Sequence, residues 1–123
     1  MLIHRHLIVR ALVANPPRDC VAVDTWLCEL CELIGMRLLA GPITARVEDV
    51  GNQGVTGVCI ISTSHIAVHV WDEPDPAVIQ LDVYTCAHLD PQSVIRHLQV
   101  FAPAHIDTHY LDRDTTLSVI PIQ

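Results

Sequence analysis

The sequence predicts an α+β protein, a two-layer sandwich in which helices cover one face of a largely antiparallel sheet. Three observations point there. Extended apolar runs outnumber helical ones, and only two segments carry helical spacing. One such helix falls at about the same relative place in each half, which hints at a duplicated β-α-β-β unit. Helices so few can cover only one face of a sheet.

The first strand is expected over 3–14, where Ile, Leu and Val dominate. "NPPRD" breaks it and supplies Asp19 as a helix N-cap. From Cys20 to Ile34, apolar groups at Val23, Trp26, Leu27, Leu30, Leu33 and Ile34 recur with helical spacing, and Gly35 provides a stop. Two extended pieces follow, 36–40 and 43–50, separated by a Gly41–Pro42 turn. "GNQG" is a loop. Residues 55–61 and 64–71 read as strands meeting at Ser62–Thr63. "DEPDP" is expected to be an exposed acidic loop, and "VIQLDVYTC" another strand. Asp90 caps a second helix with Pro91 in its first turn, running to about Phe101. "HIDTHYL" and "TTLSVI" form a closing hairpin across 112–114.

With 123 residues the chain is expected to be a single domain, 1–123. Half of the residues are hydrophobic, yet the apolar runs fall far short of the roughly 20 needed to cross a bilayer. The excess apolar surface points to a subunit interface, most simply a homodimer, and not to a membrane. Fourteen acidic residues against seven basic ones give a charge of −7, the wrong sign for nucleic acid. A small cationic or zwitterionic substrate is easier to attract. Arg5 and Arg10 interrupt the opening segment, which is read as a core strand and not a signal peptide, with a cytoplasmic address. The five cysteines include Cys28 and Cys31 as CxxC, but inside an apolar helical pattern. They are expected to be packing thiols, with no metal site.

"ISTSHIAVHVW" (61–71) is unusual for a core strand. His65 and His69 share one face, and Ser64 points to the other. No GxSxG elbow marks Ser64 as a hydrolase nucleophile, and the histidines lack a third metal ligand nearby. From the residues alone, this is a reactive strand junction without assigned chemistry.

"GVTGVCIISTSHIAVHVWDE" (54–73), followed by "LDVYTC", resembles the prokaryotic S-adenosylmethionine decarboxylases. Their pattern is close to Gly-Val-Ser-Gly, then Glu-Ser-His-x-x-x-His-Thr-Trp-Pro-Glu, then an Asp-(Val/Leu)-(Phe/Tyr)-Thr-Cys strand. "HRHL" at the start is similar to that family's Gly-Arg-His-Leu. The resemblance implies a zymogen of polyamine (spermidine) biosynthesis that cleaves itself before Ser64. The products would be a β chain of 1–63 and an α chain of 64–123, assembled as a homodimer or a pair of αβ heterodimers. Ser64 would attack the Thr63 carbonyl, and its residue would end as a pyruvoyl group, the cofactor. That ketone would form a Schiff base with an amino-acid-type substrate and withdraw electrons as carbon dioxide leaves. Thr56 stands for the family's processing serine, and His69 for the histidine that removes the Ser64 α-proton. Cys86 stands for the proton-donating cysteine, Glu73 for the acid that binds ribose hydroxyls, and His65 shapes the site.

The pattern also departs from the family. Thr63 replaces the usual Glu, and Asp72 the usual Pro. Val50 stands near the place of an aromatic residue implied in adenine stacking, in a chain with only two Trp, two Tyr and one Phe. S-adenosylmethionine is the expected substrate. A pyruvoyl-dependent arginine or ornithine decarboxylase, helped by Glu48, Asp49 and Asp72, is the alternative, and a non-cleaving binding or regulatory homologue is a further one.

Overall fold

The computed structural model describes residues 3–122. The strands are β1 (Arg5–Val13), β2 (Leu38–Val47), β3 (Gly54–Ile61), β4 (Ser64–Trp71), β5 (Ala77–Thr85), β6 (Pro103–Asp112) and β7 (Ser118–Val119). Helix α1 (Cys20–Leu33) follows β1, and α2 (Pro91–His97) follows β5, extended by a 3-10 turn over Leu98–Phe101. All seven strands form one antiparallel sheet in the order β2-β3-β4-β5-β1-β6-β7. The two strands that lead into helices are thus neighbours at its centre. The α+β sandwich read from the sequence is the observed architecture.

Both helices begin where their caps predict. Asp19 accepts from the Ala22 amide at 2.8 Å, and Asp90 from the Gln92 amide at 3.0 Å, each satisfying a donor that the first turn leaves free. Helix α1 lays Val23, Trp26, Leu27 and Leu30 on the sheet over β2 and β3, and they share one buried core with Leu7, Val9, Ile66, Val68, Leu81 and Val83. The helices also clamp one another. The Trp26 indole donates to the His97 carbonyl at 3.1 Å, His97 Nε2 meets the Trp26 carbonyl at 3.0 Å, and the two rings stack at 4.6 Å.

Two expectations change. The 36–40 and 43–50 pieces are one strand, β2, which carries its pairing with β3 through Gly41–Pro42 by shifting register twice. A bulge absorbs the proline without ending the strand. The acidic loop is not wholly exposed either. Asp72 is buried because Arg46 of β2 meets it with two nitrogens, at 2.7 and 3.4 Å.

The opposite face of the sheet is left uncovered by the described residues. Ile8, Ile43, Val58 and Ile60 lie on it and are exposed, and Ile43, Val58 and Ala67 sit side by side across three strands. His65 and His69 share this face, as strand alternation requires. Among the described residues, no helix is long and apolar enough to cross a membrane.

Candidate active site

The glycines that bracket Thr56 have backbone reasons to be there. A Cβ on Gly54 would lie 1.7 Å from the Val70 carbonyl oxygen, and one on Gly57 would press Val23 and Leu27 of α1 at 2.8 Å. Gly-Val-Thr-Gly therefore sets Thr56 on the open face, with both neighbouring backbones held tight. Its cross-strand partner is His69, and Thr56 Oγ1 and His69 Nδ1 are hydrogen-bonded at 3.0 Å.

Ser62 and Thr63 form the two-residue turn of the β3–β4 hairpin, with Thr63 at φ 54°. A β-branched residue in the left-handed region is an outlier that costs about 1–3 kcal/mol. Three donors converge on the Ser62 carbonyl: Thr63 Oγ1 at 2.8 Å, Ser64 Oγ at 3.0 Å and Cys86 Sγ at 3.0 Å. The Thr63 hydroxyl also lies 2.8 Å from Cys86 Sγ as donor. Cys86 reaches the turn because β4 pairs with β5, which ends one residue before it. Ser64 is buried at the helix-side end of β4.

One chain therefore holds two half-sites. Thr63, Ser64 and Cys86 gather at the hairpin end, while Thr56 and His69 pair farther along. From position 64 to 69 the strand advances about 17 Å at ~3.4 Å per residue, and the side chains emerge on opposite faces. His65 is exposed beside Tyr84, ring centroids 5.6 Å apart, and away from His69. Glu73 lies in the exposed loop beyond the far end of β4, where it lines a pocket with Arg18 and Asp75.

Of the acids expected to suit a basic substrate, two are engaged. Arg46 binds Asp72 and also Glu48, at 2.6 Å, and these partners hold its guanidinium above its ordinary value. Of the CxxC pair expected to be packing thiols, only Cys31 packs, buried against Cys59 of β3, where their hydrogen bond lowers the Cys31 thiol and raises that of Cys59; Cys28, on the outer side of α1, is exposed. No group of three or more metal-ligating side chains exists among the described residues. Reading the sequence missed the Ser62 carbonyl and the Arg46–Asp72 pair, since neither a backbone acceptor nor a contact between distant positions leaves a local signal.

This geometry has relatives. The model of the family described as S-adenosylmethionine decarboxylase matches residues 5–114. The S-adenosylmethionine decarboxylase proenzyme of Methanococcus maripaludis strain C5 is 37% identical over 73 residues, 58% of this chain and 58% of that protein. The proenzyme of Geobacillus sp. strain WCH70 is 54% identical over 39 residues, 32% of this chain and 30% of that protein. The matched region thus spans little more than half the length of the first of these relatives and less than a third of the second. The crystal structure of the adenosylmethionine decarboxylase from Aquifex aeolicus VF5 superposes with a TM-score of 0.68 over 91% of each chain, at 19% identity, and so shares the fold. A family match from the first strand to the turn after β6, on the fold that family adopts, means that this chain belongs to the S-adenosylmethionine decarboxylase family.

Proposed function

We propose that the chain is a self-processing decarboxylase of S-adenosylmethionine, with its site shared between two copies. The observation that carries this reading is the strained Thr63–Ser64 junction with the Cys86 thiol against it. Ser64 Oγ is suited to add to the Thr63 carbonyl carbon. The 63–64 C–N bond then breaks, an ester forms and the Ser64 amine is freed. Removal of the Ser64 α-proton expels the Thr63 carboxylate and leaves a dehydroalanine. Water hydrolyses its imine tautomer, releasing ammonia. Relief of the left-handed Thr63 conformation favours the first step, and the Ser62 carbonyl, already accepting from the Ser64 hydroxyl, draws its proton aside.

The residues at the junction fit a pyruvoyl group: a serine hydroxyl at its source, and a thiol proton donor with no competing amine, since the chain has no lysine. When present, such a group supplies a ketone that takes up the substrate's amine and withdraws electrons as carbon dioxide leaves. Cys86 holds a proton at Sγ beside the turn, as a general acid. Thr56 and His69 handle the Ser64 α-proton during processing, His65 shapes the open face, and Glu73 offers acceptors to substrate hydroxyls.

Within one chain His69 cannot reach Ser64. Packing the open faces of two copies about a two-fold axis covers Ile8, Ile43, Val58 and Ile60 and can set the hairpin end of one copy near Thr56 and His69 of the other. Engagement of Asp72 and Glu48 by Arg46 favours S-adenosylmethionine over arginine or ornithine.

Intact mass should show two fragments separating before position 64, and Ser64→Ala should stay whole. Ser64→Ala and His69→Ala chains, each uncleaved alone, should regain partial cleavage of the His69→Ala chain when refolded together. An uncut wild-type chain would instead indicate a binding homologue, and failure of the mixture would remove the shared site. Carbon dioxide release from S-adenosylmethionine, arginine and ornithine in parallel tests the substrate.

A further inference from the structure

Thr63 Oγ1 and Cys86 Sγ lie 2.8 Å apart, and they stand 2.8 and 3.0 Å from the Ser62 carbonyl oxygen. The three atoms form a closed triangle that holds two mobile hydrogens. While the thiol keeps its proton, S–H donates to the carbonyl. A hydroxyl hydrogen turns about its own C–O bond, so Thr63 can donate to the carbonyl or to the sulfur without moving a heavier atom. Among the described residues, Thr63 is the one side-chain donor to that sulfur.

Both sides of the triangle are anchored by bonds that do not run through the 63–64 linkage. The Ser62 amide donates to the carbonyl of Arg37, the residue before β2, at 3.2 Å. On the other side, the buried Thr85 hydroxyl donates to the Ala87 carbonyl at 2.8 Å and fixes the bend that carries Cys86. Processing at Ser64 consumes the third hydroxyl on the Ser62 carbonyl and leaves that acceptor to Thr63 and Cys86.

We propose that Thr63 is a positioning residue for Cys86, its hydroxyl aiming the thiol and donating to the sulfur as the proton leaves. The inference rests on the decarboxylase reading above and adds a partner to its proton donor. In that step the Cys86 S–H bond breaks and its electron pair stays on sulfur. The substrate carbon that has lost carbon dioxide uses its own pair to form the new C–H bond, and water later returns a proton to the sulfur. A hydrogen bond to an ionised atom is roughly twice as strong as one between neutral groups. The Thr63 bond therefore tightens as charge develops on the sulfur. An ionised Glu, the residue of the family pattern at this position, can only accept, so the donor is a property of this chain.

Site-resolved alkylation of Cys86 by iodoacetamide, read by mass spectrometry across pH, tests this without turnover. The full chain carries Ser64→Ala, which keeps it whole and removes the hydroxyl that processing would consume. Adding Thr63→Val preserves the β-branched shape and deletes the donor, and the pH of half-maximal alkylation should rise by about half a unit or more. Thr63→Ser should restore it. With Ser64 intact, Thr63→Val should lower kcat per cleaved chain about fivefold or more while KM stays within about twofold, and Thr63→Ser should regain most of the loss. An unmoved alkylation profile in Thr63→Val overturns the proposal and leaves the decarboxylase reading intact. Equal shifts in Thr63→Val and Thr63→Ser also overturn it, because shape and not the hydroxyl would then be responsible. A wild-type chain that never cleaves, but whose Cys86 profile follows the Thr63 hydroxyl, supports the coupling and removes the decarboxylase.

Discussion

Thr63 is the residue on which the reactive junction turns. Its left-handed φ is comfortable for glycine and costly for a β-branched side chain. Thr63→Gly should therefore stabilise the uncleaved chain by about 1 kcal/mol and slow cleavage several-fold, followed by thermal melting and by the rate of fragment appearance on a gel. Faster cleavage would show that strain does not drive the acyl shift. Tyr110 makes a different point. It is buried with its hydroxyl on the Leu89 carbonyl at 2.8 Å, and burial raises its phenol above the ordinary 10.0. A raised folded value contributes stability that is fully present below the unfolded value and is lost as pH climbs toward the folded one. Stability should thus fall above about pH 10, and Tyr110→Phe should flatten that fall in denaturant titrations at successive pH values. An unchanged alkaline limb would assign it to other groups.

Among the elements, α1 carries most of the covering layer, and its junction with α2 is held by a reciprocal pair of side chain-to-backbone bonds under a stacked ring pair. Trp26→Ala removes the stack, the indole donor and a large part of the core. It should cost about 3–5 kcal/mol, read from urea midpoints; a loss under about 1 kcal/mol would mean that the helix packs independently of this clamp. Strand β2 shows how far local signals reach. Gly41–Pro42 reads as a turn because proline lacks the ladder donor, and the register shifts of β2 mark that defect. The strand survives because β3 holds it on both sides of the defect. The caps at Asp19 and Asp90 and the stop at Gly35 were legible since each depends on neighbours within a few positions.

For the whole molecule, the uncovered sheet face is the organising feature. A row of exposed aliphatic side chains beside Thr56 and His69 has no cover among the described residues, and the one acid between Ala67 and Ile8 in that row, Asp82, is engaged by His6 at 2.9 Å. Val58→Asp combined with Ile60→Asp should yield monomers by light scattering and abolish cleavage while leaving the circular dichroism spectrum intact, because neither side chain enters the helix-side core. A dimer that persists and still cleaves would move the interface elsewhere.

Composition, helical and strand periodicity, and the turn and cap residues were enough to determine the layered α+β fold, the antiparallel strands and the face shared by His65 and His69, since each is an effect of spacing along the chain. The motif around 54–86 likewise marked Ser64, His69 and Cys86 as belonging together by type. Only the tertiary structure decided that Cys86 and the Ser62 carbonyl meet at the turn, and that Asp72 is consumed by Arg46. Such facts depend on which strand lies beside which, and strand order is set by the global packing of the sheet under its helices.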